Sequence, residues 1–304
     1  MDTSTIQMAS APAADLAAAQ AQTRRLAATH YENFSVISLL LPRRLRQDFC
    51  NIYAFCRVAD DLGDETGDGQ ESLRLLGDFR RQTLDCYAGH ASTAVFVALA
   101  QTIRRYELPI EPFLDLIDAF EQDQRVLRYQ SFDQLLDYCR RSANPVGRLV
   151  LYLCGYRDSQ RQQLSDSTCT ALQLANFWQD VRRDILQRDR IYIPRESMDR
   201  FGVTGEQIRR GRCDDNFRKL IRFEVDRTAE FFDRGAALLP LLRPSVRMQI
   251  SLFDKGGRAV LASIRRQDYD TLGRRPALSR WQKSRLILST LMALGGRLFA
   301  GGQA

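Results

Sequence analysis

Proline is what most constrains how this chain of 304 residues can fold. Its nine prolines leave four long stretches without one, at 43–108, 113–144, 146–193 and 195–239. A proline inside a helix removes a backbone hydrogen bond and clashes with the preceding turn, so these are the stretches in which long helices can run. Glycine and proline together number 27, fewer turn residues than a sheet-rich chain of this length would need. The expected fold class is all-α. Hydrophobic residues at 44% and charged residues at 27% are an ordinary globular balance. That balance excludes disorder and collagen-like structure for the bulk of the chain and supplies a sizeable core.

Apolar residues recur at helical spacing over Leu45–Leu62, with no breaker before Gly63. Glu65–Gln70 reads as a loop. Helices are then expected over Leu73–Tyr87, Ala91–Tyr106 and Phe113–Leu127. Phe132–Leu153 carries Asn144-Pro145 in its middle, which predicts a kink or break. Ser165–Ile185 is a long helix followed by a charged loop to Pro194; Asp215–Leu239, Ser245–Arg266 and Leu278–Leu294 complete the pattern. Length alone allows about two domains. With no repeat and no linker, the reading is one helical domain over 21–304, behind a tail of residues 1–20 that turns helical near Leu16.

The formal charge is +7, and it is carried by 41 arginines against lysines at 219, 255 and 283 only. Arginine's planar fork suits phosphate and carboxylate. The arginines are spread along the chain rather than gathered in a stripe, which argues against a nucleic-acid binder. Seven cysteines form no CxxC pair, so free thiols in a reducing compartment are expected, not disulfides or zinc. With only His30 and His90, a bound metal must take oxygen ligands, which points to magnesium or calcium. The N-terminus lacks the features of a secretory signal, and no stretch is long and apolar enough to span a bilayer.

Two acidic rows carry chemistry. Tyr53, Arg57, Asp60, Asp61 and Asp64 share one helix face. Like charges stacked at these spacings destabilise a helix unless a cation compensates. Carboxylates one turn apart, about 6 Å along the axis, can bridge magnesium ions that also hold a diphosphate. Taken alone, the row reads equally as a solvated acidic helix end. Asn176, Asp180 and Asp184 form a second row at i, i+4 and i+8 within an apolar helix. Two such rows together favour metal–diphosphate chemistry over two unrelated surface faces. Arg190 and Tyr192 follow directly, suited to hold a departing diphosphate and to cover a pocket, or else belonging to a plain charged loop. Ionising an activated diphosphate leaves a carbocation, which aromatic faces stabilise. The nearby candidates are Phe34, Tyr53, Tyr138, Phe177 and Tyr192, though for any one of them taken singly core packing is the commoner role.

These motifs resemble the squalene/phytoene synthase family, whose members share an all-helical isoprenoid synthase fold. The resemblance runs from about His30 to Arg275. It implies that Asp60, Asp64, Asn176, Asp180 and Asp184 are magnesium ligands, with Asp61 completing the motif. It also implies that Arg57 and Arg190 contact diphosphate, and that Tyr53, Tyr138 and Tyr192 line the pocket. Two stretches depart from the condensing members. His30-Tyr-Glu32-Asn-Phe34-Ser35 has Glu32 where they carry a basic residue, and Ser142-Ala-Asn144-Pro-Val-Gly147 replaces their Ala-Gly-Thr-Val-Gly. Both changes, and the late run from Tyr269 to Pro276, look like the bacterial hydroxysqualene synthase branch of hopanoid biosynthesis. That branch implies a carbon–oxygen lyase that ionises presqualene diphosphate, rearranges the cation and lets water capture it. An upstream synthase supplies the substrate and a downstream reductase consumes the product. No nicotinamide cofactor is expected, in keeping with the lack of a GxGxxG or P-loop signature. Asn144 is the residue expected to orient the water, because an amide both donates and accepts. The runner-up is a prenyltransferase that condenses farnesyl or geranylgeranyl diphosphate head to head. The implied location is the cytoplasm or the inner-membrane surface. Leu286–Leu294, with Arg285 and Arg297, reads either as an interfacial helix or as core.

Overall fold

The structure, a computed structural model, describes residues 15–29, 42–64 and 66–277. Among these residues there are twelve α-helices and no strand; a single parallel bridge joins Arg128 and Ile191. The all-α expectation holds. The stretch His30–Ser35, which includes Glu32 and Phe34, and the helix expected over Leu278–Leu294 lie outside the described residues. No described helix is long and apolar enough to cross a membrane.

The chain divides into two compact units. The first comprises the residues up to Arg125 together with Arg148–Arg157. It contains α1 (Leu16–Thr29), α2 (Arg43–Asp64), α3 (Gly69–Tyr87), α4 (Ala94–Tyr106) and α5 (Glu111–Asp123). α1 begins where the tail was expected to turn helical, and Ala19 on it is fully buried. α2 runs through Gly63 instead of stopping before it, and Gln124 Nε2 donates to the Gly63 carbonyl at 2.8 Å. α3 starts inside the expected loop because Asp68 caps it, accepting from Gln70 N at 2.9 Å. α5 ends short of Leu127, whose carbonyl is taken by Ile191 N at 3.0 Å.

The centre of this unit is aromatic. Phe55 lies 4.9 Å from both Phe79 and Phe113, ring to ring, and Phe79 lies 5.0 Å from Phe96. All four are at most 1% exposed. Beside them runs a buried polar seam between α1, α2 and α4. Asn51 Nδ2 donates to Ala98 O and to Thr102 Oγ1, both at 3.0 Å, and Asn51 Oδ1 accepts from Thr23 at 2.8 Å. Thr102 and the Tyr106 hydroxyl in turn donate to Asp48, each at 3.0 Å. A satisfied network of this kind holds three helices in one register, since a shift would strand several buried polar groups.

The second unit comprises Val126–Gly147 and the chain from Asp158 onward. The helix expected over Phe132–Leu153 breaks at Ala143 into α6 (Phe132–Ser142) and α7 (Asn144–Leu153), beside the Asn-Pro pair. α8 (Ser159–Arg188) is 30 residues long, extended at both ends beyond expectation. Asp158 caps its start, accepting from Arg161 N at 3.0 Å, and Asp189 ends it in the left-handed conformation at φ 49°. Two short helices follow, α9 (Arg195–Phe201) and α10 (Gly205–Arg209), too brief for apolar periodicity to reveal. α11 (Asp215–Ala236) and α12 (Pro244–Arg266) then pack against α8.

Small residues set that packing. A Cβ on Gly257 of α12 would sit 2.7 Å from Leu172 of α8. Trp178, wholly buried on α8, donates its indole N–H to Thr228 on α11 at 2.7 Å. α8 is thus clamped along its length, and it is the helix that carries the second acidic row.

Candidate active site

The first row occupies the C-terminal half of α2, in the first unit. Carboxylates there face the negative end of the helix dipole as well as one another. Arg57, on the same helix, offsets part of that cost: its Nη1 lies 3.2 Å from Asp60, and its Nη2 pairs with Asp61. Burial pulls the Arg57 pKa down, but Asp61 and then Asp60 outweigh it and hold the pKa above the ordinary arginine value. Asp61 is 7% exposed, whereas the Asp60 side chain is 41% exposed. Tyr53 and Asp64 are half-buried on the same stretch of helix.

The second row lies on α8. Asn176 is exposed, Asp180 is half-buried and Asp184 is 8% exposed. Burial, followed by the neighbouring Asp180 charge, pushes the Asp184 carboxyl up to about 7, against the opposing pull of Arg188, Arg190 and Arg183. Asp180 is held by Arg275, whose Nε pairs with Oδ1 and whose Nη2 lies 3.0 Å from Oδ2. Sequence reasoning gave Arg275 no role. It arrives from 95 residues away on the strap Thr271–Pro276, which α8 anchors through Arg182 Nη1 to the Leu272 carbonyl at 2.8 Å and through Gln179 to the Pro276 carbonyl.

Next to this row is an aromatic cluster. Phe177 of α8 stacks on Tyr192, with centroids 3.7 Å apart and planes at 12°. Tyr138 of α6 lies 5.8 Å from Tyr192 and 6.1 Å from Phe177. Tyr129 completes the cluster, 5.6 Å from Tyr138 and 5.8 Å from Tyr192. Sequence reasoning missed Tyr129, which sits in the non-helical stretch after α5, where periodicity gives no signal. It is placed by pairing of the chain around it: Arg195 N donates to Tyr129 O at 2.9 Å beside the Arg128–Ile191 bridge. Arg190 is 5% exposed and donates from Nη1 to the Tyr192 hydroxyl at 3.0 Å.

Asn144 opens α7, is 7% exposed, and accepts through Oδ1 from the hydroxyl of Thr170 on α8 at 3.0 Å. Gly147 lets α7 approach α8 at this level: a Cβ there would fall 2.5 Å from both Cys169 Sγ and Ser165 Oγ. The second unit therefore holds Tyr138, Asn144, Asn176, Phe177, Asp180, Asp184, Arg190 and Tyr192. Tyr53, Arg57, Asp60, Asp61 and Asp64 belong to the first unit.

The donors in both rows are oxygens, which suits a hard cation such as magnesium, and each row already holds an arginine against its carboxylates. Among the described residues no three carboxylates, thiols or imidazoles form a ready-made metal cage.

A sequence profile described as squalene/phytoene synthase matches residues 27–282. The chain belongs to the squalene/phytoene synthase family. Its members are isoprenoid synthases acting on prenyl diphosphates. A phytoene synthase of Arthrospira platensis is 29% identical over 272 residues, covering 86% of this chain and 88% of that one. A hydroxysqualene synthase of Zymomonas mobilis is 34% identical over 209 residues, covering 67% of this chain and 69% of that one. Among solved structures, the squalene synthase HpnC from Alicyclobacillus acidocaldarius superposes with a TM-score of 0.80 at 48% identity, covering 86% of this chain and 97% of that one. The profile match spans the helices that carry both acidic rows.

Proposed function

We propose that this member of the family is a hydroxysqualene synthase, converting presqualene diphosphate and water to hydroxysqualene and diphosphate. The observation that carries the reading is Asn144. A buried amide, hydrogen-bonded to Thr170 of the same helix that bears the aromatic ring of Phe177 and the acidic row, is a place to hold a water near a carbocation. The likeness to a hydroxysqualene synthase and to HpnC supports it.

In this reading Asp60, Asp64, Asn176, Asp180 and Asp184 hold magnesium, with Asp61 positioned through Arg57. The metal supplies Lewis-acid neutralisation of the leaving diphosphate. Arg57 and Arg190 bind diphosphate oxygens, and preorganised positive charge of this kind lowers the barrier where negative charge develops. The carbon–oxygen bond breaks with its electron pair leaving on the diphosphate. The cluster of Tyr129, Tyr138, Phe177 and Tyr192 offers the cation those ring faces that its own stacking leaves open, and keeps bulk water away. Asn144 orients the one water whose oxygen forms the new carbon–oxygen bond, and the released diphosphate takes the proton. The protein would work in the cytoplasm or at the inner-membrane surface, between a presqualene diphosphate synthase and a reductase.

Similarity to phytoene synthases favours a second reading, the head-to-head condensation of two prenyl diphosphates. Two incubations with magnesium and without nicotinamide separate the two. Hydroxysqualene from presqualene diphosphate, with no condensed product from farnesyl or geranylgeranyl diphosphate, is the expected result. A condensed product from either prenyl diphosphate, with presqualene diphosphate left unreacted, would replace the first reading by the second.

A further inference from the structure

We propose that Thr170 is a positioning residue that sets the fate of the carbocation by fixing the amide of Asn144. The inference rests on the water-capture reading above and adds a residue to it.

Thr170 stands in mid-helix, where a threonine hydroxyl ordinarily bonds back to a carbonyl one turn earlier. Here it donates instead across to α7, to Asn144 Oδ1 at 3.0 Å, and both side chains are at most 7% exposed. An amide can be flipped by half a turn with little change of shape, so its donor and acceptor ends are interchangeable unless a neighbour chooses between them. As the two side chains sit, the oxygen is the end that Thr170 engages and Nδ2 is the end left to donate, and the hydroxyl holds the amide in place against α8. A water accepting from Nδ2–H has one lone pair committed and the other available for the cation. In the reverse orientation the amide oxygen would take a proton of the water and let it turn.

The position on α8 agrees with this role. Thr170, Phe177 and Asp184 are spaced i, i+7 and i+14, so they fall within about 40° of one another around the axis. The hook is also rigid on both sides. Gly147 lets α7 press against Ser165 and Cys169 on α8, five residues and one residue before Thr170, and Gly235 of α11 packs against Thr168.

The chemistry at stake is a branch. The same cation can be captured by water to give the alcohol, or can lose a proton to give a hydrocarbon. Water in the right pose favours the first course. The test is Thr170→Val, which keeps the shape and removes the donor, compared with Thr170→Ser, which restores it. Each is incubated with presqualene diphosphate and magnesium in ¹⁸O-water, and the products are resolved by mass. The expected result is a fall of about tenfold in the ratio of ¹⁸O-alcohol to hydrocarbon for the Val variant, with KM unchanged and recovery by the Ser variant. If the Val variant does not fold, Thr170→Ala is read in the same way. An unchanged ratio in Val or Ala, or a Ser variant that matches Val, overturns the role of Thr170 while leaving the function intact. Wild-type protein that makes no alcohol from presqualene diphosphate overturns the reading on which it stands.

Discussion

Replacing Asp184 with asparagine should make the metal-free protein more stable at neutral and higher pH while removing a ligand that the proposed chemistry needs. Asp184 is 8% exposed, and burial together with Asp180 raises its carboxyl from 3.8 to about 7. A raised carboxyl pKa means that the folded chain binds the proton more tightly than the unfolded chain does. Below about pH 4 both states are protonated and the residue contributes no penalty. Between about pH 4 and 7 the unfolded chain ionises first and stability is lost; above about 7 the penalty is complete. Three pK units at 1.36 kcal/mol each set it at about 4 kcal/mol at most, with residual burial in the denatured ensemble reducing it. Urea unfolding of wild type and Asp184→Asn in EDTA, at pH 5 and pH 8, would measure it. The variant should gain at least about 1 kcal/mol more at pH 8 than at pH 5. Equal gains at the two pH values, or a variant weaker than wild type at pH 8, would refute the reasoning that Asp184 is held as a strained, dehydrated charge awaiting a cation. Saturating magnesium should narrow the difference, because binding to the folded state stabilises it by mass action.

Asp180→Asn should keep the fold and lower turnover by about a hundredfold or more, measured as diphosphate release at saturating magnesium. Gly147→Ala should destabilise by about 1–3 kcal/mol, since its Cβ would fall 2.5 Å from two α8 side chains, and a shift in urea midpoint checks it. Asn51→Leu should cost about 1–3 kcal/mol, because it removes buried hydrogen bonds to the Ala98 carbonyl and to the Thr102 and Thr23 hydroxyls, which keep Asp48 and the Gln20 carbonyl as partners; a fall in melting temperature would report it.

Much of the helical order was legible in the chain because helices are local. The break at Asn144-Pro145 and the presence of a long helix before Asp189 follow from proline geometry and 3.6-residue periodicity, while the full reach of that helix, Ser159–Arg188, does not. Boundaries moved where a side chain capped an end, as Asp68 does, or where a neighbouring segment took a carbonyl, as Ile191 does at Leu127. The short helices α9 and α10 were invisible for want of a full period.

The same division runs through the candidate site. The two acidic rows and the oxygen chemistry they suit were determined by sequence alone, because i, i+3 and i+4 spacing on one helix places side chains on one face whatever surrounds them. Arg57 could be read beside Asp60 and Asp61 for the same reason. The partnerships of Arg275 with Asp180, Tyr129 with Tyr192, and Thr170 with Asn144 join residues distant in the chain. Only tertiary packing decided those: each depends on which faces of α8 its neighbours cover, and on where small residues such as Gly147 let two backbones come close. Distance along the chain carries no record of that.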